Sequence, residues 1–217
     1  MLPDTAANAF HAITAGLTTG VLLFALLAVV VRLILHLRGV EGYPRLATAS
    51  DLSAIAAVAV ALVIGVAAIV TGFLLWDFGA VINSPVMRNK LLTAALMVVT
   101  YALYLGVRLR VGPRLWENTW MAGFYTFLAI AGFHWGMVTS SIGGDIAGIP
   151  SGYETLVRLS GVETRFTYYL PTWMLVVMTV AAVVFLVVAF TDRERGRPPA
   201  PVRAGEPEEA GSGRSRG

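Results

Sequence analysis

Residues 52–76 read LSAIAAVAVALVIGVAAIVTGFLLW, a run without one charged side chain. A helix rises about 1.5 Å per residue, so roughly 20 apolar residues cross about 30 Å of hydrocarbon. This run is long enough. Four more uncharged stretches resemble it: Thr5–Val31, Leu91–Val107, Asn118–Gly144 and Phe166–Thr191. Leu91–Val107 is the shortest, but Lys90 and Arg108 at its ends can snorkel to the interfaces. With 57% hydrophobic and 13% charged residues in a chain of 217, a single soluble core cannot hide the apolar surface, whereas lipid can. The expected fold is all-α: a polytopic transmembrane bundle of five helices at about residues 8–36, 52–76, 90–110, 118–142 and 169–191.

Orientation follows from the arginines. Arg32, Arg38 and Arg45 fall on one side, as do Arg108, Arg110 and Arg114, and then Arg193, Arg195 and Arg197. The other side receives Arg88, Lys90, Arg158 and Arg165. The positive-inside bias puts the richer side in the cytoplasm, with the N-terminus outside, in the plasma (inner) membrane of a bacterial cell. Trp76, Trp116, Trp120 and Trp173 sit near the expected boundaries, where amphipathic rings prefer to lie. The first segment lacks a basic leader and a small-residue cleavage site, so it reads as a retained helix. Residues 192–217, rich in Pro, Gly, Arg and Glu, read as a disordered cytoplasmic tail. The net charge of +3 is spread over helix ends, which is a topology signal and no nucleic-acid footprint.

The chain has no cysteine, which excludes disulfides, thiolate metal sites and covalent haem attachment. No acidic or basic side chain falls inside the five stretches, which argues against a proton-coupled transporter. Metal or cofactor chemistry then rests on three histidines. His134, in Gly132-Phe133-His134-Trp135-Gly136, lies about 21 Å from the cytoplasmic boundary, in the outer part of the bilayer. An imidazole there needs a hydrogen-bond partner or a ligand role, and neutral imidazole is the usual axial ligand of b-type haem. His11, opening the first helix, is the candidate for the opposite ligand, although helical rise sets the two about 10 Å apart in depth. Met97, Met174 and Met178 are alternative ligands. The competing reading gives His134 a hydroxyl or carbonyl partner and makes His11 and His36 interfacial residues.

Gly16–Gly20 and Gly132–Gly136 have the spacing that lets helices approach closely. The Gly132/Gly136 face points nearly opposite to His134, so it seats a neighbouring helix, within the bundle or between subunits. In the outer loop from Ser140 to Tyr169, Thr155–Ser160 is a candidate interfacial helix. Arg88 and Arg158, with Lys90 and Arg165, could pair with haem propionates, or equally with Asp145, Glu154 and Glu163.

Four features together carry a resemblance. They are Phe10-His11-Ala12-Ile13, the helix end Thr71-Gly72-Phe73-Leu74-Leu75-Trp76-Asp77, the helix start Asn89-Lys90-Leu91-Leu92, and Ile142-Gly143-Gly144-Asp145-Ile146. Over about residues 8–150 the chain resembles a family of four-helix bacterial membrane domains of unknown function, some encoded beside redox proteins and suspected of binding haem. It departs from that pattern where Asn89 and Lys90 replace a histidine. Its five-helix architecture also resembles the b-type cytochrome subunits of respiratory oxidoreductases. The resemblance implies a haem b electron-transfer subunit, with His134 and His11 as iron ligands, passing electrons between quinol and an extracytoplasmic redox protein. The alternative is a non-redox structural or assembly subunit whose glycine faces join other membrane subunits.

Overall fold

The computed structural model describes residues 4–39, 43–149, 151–159 and 171–191. Among them are seven α-helices and no strand. They are α1 (Asp4–Leu37), α2 (Pro44–Leu75), the short α3 (Phe78–Asn83), α4 (Pro85–Val111), α5 (Thr119–Ile146), α6 (Gly152–Leu159) and α7 (Thr172–Thr191). A 3-10 segment, Gly112–Glu117, links α4 to α5.

Four helical spans are long and apolar enough to cross a membrane: Ala6–Leu37, Pro44–Leu75, Pro85–Glu117 and Thr119–Ile146. All run past the uncharged stretches that announce them. Helix α2 starts eight residues before Leu52, because Pro44 occupies a first-turn position where a missing N–H costs nothing. Helix α4 starts at Pro85 behind Ser84, whose hydroxyl accepts from the Met87 N–H. Asp51 and Lys90, placed by the sequence at helix edges, therefore stand inside helices. Helix α3 was not expected; Asp77 caps it by accepting from the Ala80 N–H at 3.2 Å. Helix α7 is apolar and lies along α4. The expected tail, and Arg165, Glu163, Tyr168 and Tyr169 of the outer loop, lie outside the described residues.

Helix α1 lies along α2 and also touches α5, while α4 lies along α5. Call "upper" the end where α1 begins and α2 ends. The face of α1 turned inward is Thr14, Thr18, Leu22, Ala25 and Val29, at the three- and four-residue spacing of one helix face. Against it α2 buries Ala54, Ala57, Val58, Ala61 and Ala68, small side chains that let two backbones approach closely. The threonine hydroxyls need no outside partner. Thr14 and Thr18 donate to the carbonyls of Phe10 and Thr14, at 2.9 and 2.8 Å.

Between α4 and α5 the fit is aromatic. Tyr104 stacks on Tyr125 with ring centroids 4.0 Å apart, and Trp116 meets Tyr125 edge-on at 5.7 Å. Tyr101 lies over Gly132, where a Cβ would come within 2.8 Å of its ring, and its hydroxyl donates to the Ala129 carbonyl at 3.3 Å. Gly136 likewise receives Leu22 and Met97. The Gly132/Gly136 face is thus used up inside the bundle. A Cβ on Gly16 or Gly20 would meet nothing within 4 Å.

Candidate functional site: a cavity at the upper end of the bundle

His11 is held by α2. Its Nδ1 lies 2.9 Å from the Ala68 carbonyl and 3.3 Å from the Thr71 hydroxyl. A carbonyl only accepts, so Nδ1 carries the hydrogen, and in the neutral ring Nε2 is left with an acceptor lone pair. Gly72 makes the approach possible: a Cβ there would stand 3.2 Å from Cε1 of His11. The Thr71-Gly72 pair quoted from the sequence has a physical reason, one residue contacting the imidazole and the next leaving it room.

Below and beside His11 the four long helices part around a cavity of about 390 Å³. Its polar rim is His11 and Thr19 from α1, Lys90 from α4, and Thr139 and Ser140 from α5. Its floor is Thr18, Leu22 and Met97, packed against Gly65 and Gly136. Lys90 reaches its position because α5 has a glycine opposite; the ammonium lies 3.1 Å from where a Cβ of Gly143 would be. Gly144, next in line, leaves space for the Ile149 carbonyl. The Gly143-Gly144 pair is therefore a seat for a cation followed by a seat for the returning chain.

That return explains His134. After α5 the backbone turns at Gly148, whose φ of 73° is the left-handed region glycine favours, and the Ile149 N–H donates to the Gly144 carbonyl at 2.8 Å. Ser141 and Ser151 join hydroxyls, and Ser151 caps α6 by accepting from the Glu154 N–H at 3.1 Å. Helix α6 thus folds back along α5, starting three residues before the expected Thr155. Its Tyr153 hydroxyl lies 2.5 Å from Nδ1 of His134.

The two histidines are engaged apart. At about 100° per residue, His134 stands roughly 200° around α5 from cavity-lining Gly136. It does not line the cavity that His11 lines. Two imidazoles gripping one iron must share a gap; here one is bonded to α2 and the other to α6. Among the described residues no group of three or more His, Asp or Glu could hold a metal ion. Arg88 donates through Nε to the Ile82 carbonyl, and exposed Arg158 pairs with the buried Glu154 at 3.6 Å. Neither lines the cavity. The structure therefore does not bring His11 and His134 together at one cavity, nor Arg88 and Arg158 to its wall; Met97, the alternative ligand on α4, lines the same cavity as His11. His36, at the lower end, stands 6.2 Å from Trp116.

A second polar cluster went unseen in the sequence. At the lower end Asp51 accepts from Arg108 Nε and Nη2 at 3.0 and 2.5 Å, and from Trp116 Nε1 at 3.0 Å. Arg32 lies over the Trp116 ring, 4.7 Å from its centre. This knot ties α2 to α4 and to the 3-10 segment, and its role is architectural. The signal that could have found it was the shared depth of Asp51 and Arg108, each flanking an apolar stretch at the same end. No family model, curated protein or solved structure matches this chain.

Proposed function

We propose that this chain is a membrane-embedded binding subunit that takes a small amphipathic molecule from the bilayer into the cavity between α1, α2, α4 and α5. The carrying observation is that cavity of about 390 Å³, apolar at its floor and rimmed by His11 and Lys90. Ligand sites of this kind span about 300–1,000 Å³ and combine apolar walls with a few convergent polar groups. A quinol is one molecule of this class. Haem chemistry is not part of the proposal, because His11 bonds α2 beside the cavity while His134 bonds Tyr153 of α6 away from it. The topology completes the reading: five crossings with the cavity in the outer half and the arginine-rich ends in the cytoplasm. Because the chain has no native cysteine, single cysteines at exposed Ala147 and Glu117 should be labelled from opposite sides of the membrane.

The cavity reading is tested by filling it. Gly16 lines the cavity and has open space around its Cβ position. Gly16→Phe should therefore fold as the parent does while occupying the space a ligand needs. Protein purified in mild detergent should carry a co-purifying amphiphile, visible by native mass spectrometry, that the Gly16→Phe protein lacks. Identical spectra for the two folded proteins would refute the proposal.

A further inference from the structure

We infer that the molecule bound in this cavity has an anionic head, a carboxylate or a phosphate, held at the cavity rim by Lys90. This inference rests on the cavity being a binding site and adds the chemistry of what it binds.

The cavity wall carries two basic side chains, His11 and Lys90, and no aspartate or glutamate lines it among the described residues. The neighbouring carboxylates are committed elsewhere: Asp77 caps α3, Glu154 pairs with Arg158, and Asp145, next to the lining Gly144, is itself engaged. The Lys90 ammonium has no ion-pair or hydrogen-bond acceptor among the described residues, and it is half-buried between α4 and α5. A cation partly withdrawn from water inside a helical bundle is costly unless an anion or several acceptors meet it. At the lower end the same chain meets that requirement with its own Asp51 for Arg108. At the upper end it supplies the cation and the space, and leaves the anion to come from outside.

The shape adds the second half of the ligand. From Lys90 to Met97 is seven residues of α4, or about 10 Å, and over that length the wall turns from an ammonium and hydroxyls to Leu22 and the Met97 thioether. A compact inorganic ion would leave that apolar floor unfilled. A single-chain amphiphile fills both parts. His11 discriminates between the two head groups. Its Nε2 has no partner among the described residues and can only accept, so it suits a phosphate monoanion, which keeps one P–OH, over a carboxylate, which has no hydrogen to donate.

The experiment is a binding series on the full chain in detergent micelles, using dodecanoate, dodecyl phosphate and dodecanol as matched probes. The parent should bind both anions at least about tenfold more tightly than the alcohol, the effect of one hydrogen bond to a charged group. Lys90→Gln should remove that preference while leaving dodecanol unchanged, and Lys90→Arg should keep it. Dodecyl phosphate bound more tightly than dodecanoate names the phosphate as the natural head; the reverse order names the carboxylate, and equal binding overturns the discrimination by His11. Equal affinity for alcohol and anions, or an anion preference that survives Lys90→Gln, overturns the inference. If dodecanol binding is nonetheless lost in Gly16→Phe, the cavity reading stands without it. If no probe binds and Gly16→Phe changes nothing, both fall.

Discussion

Removing one carboxylate, Asp51→Ala, isolates what holds the lower end of the bundle together. In the native protein that side chain accepts two hydrogen bonds from Arg108 and one from Trp116, and the two members of the ion pair are only 12% and 7% exposed. Alanine leaves a guanidinium and an indole N–H facing each other with no acceptor, and a second guanidinium, Arg32, 4.7 Å above the indole. Breaking a buried pair by deleting one partner costs about 3–5 kcal/mol, most of it the stranded charge. An exposed pair would cost about 0–1 kcal/mol, so the two regimes are well separated. Unfolding in mixed micelles of rising sodium dodecyl sulfate fraction, followed by the fluorescence of the five tryptophans, reads the difference. The double substitution Asp51→Leu with Arg108→Met should recover most of the loss, because a matched apolar pair replaces a buried ion pair at little or no cost. A loss below about 1 kcal/mol for Asp51→Ala, or a double variant no better than the single one, would refute the idea that the stranded charge is the source.

Two further substitutions follow from the packing. Gly132→Ala places a Cβ 2.8 Å from the Tyr101 ring and should cost about 1–3 kcal/mol in the same assay, whereas Gly20→Ala, with open space around it, should be neutral or stabilising by up to about 1 kcal/mol. Equal effects at the two positions would contradict the arrangement of α4 against α5. Tyr153→Phe and His134→Phe remove one of the bonds that hold α6 to α5, leaving the Ser141–Ser151 pair; amide exchange across Gly152–Leu159 should accelerate while global stability falls by only about 1 kcal/mol. A haem absorption band in the purified protein that His134→Ala abolishes would instead make that imidazole an iron ligand.

The apolar runs made an all-helical membrane bundle legible in the sequence; of the five expected spans, four are helices long and apolar enough to cross a membrane. Each of four runs became a long helix, because in lipid every backbone N–H and C=O must be satisfied within its own segment. The helix limits were less legible. Asp51 and Lys90 look like loop-facing charges when charge is taken to end a span, yet backbone hydrogen bonding carries a helix past a charged side chain wherever the side chain finds a partner or a cavity. The glycine faces were half legible: the spacing of Gly132 and Gly136 announced close packing, and Tyr101, Leu22 and Met97 proved to be what packs there. The site was least legible. Sequence spacing can pair His11 and His134 on depth alone, since it gives height along a helix but not rotation relative to another helix.

What the sequence by itself determined is the local and one-dimensional part: the long apolar helices, their apolar character, and the end of the bundle at which each polar residue stands. Those follow from composition and periodicity, which act within a single segment. The tertiary structure alone decided which residues meet. His11 bonds a carbonyl 57 positions away, Asp51 bonds Arg108 across the same separation, and Tyr153 reaches His134 through a chain reversal at Gly148. Such pairings depend on how each helix is rotated about its axis, and that rotation is set by the fit of one helix surface into another.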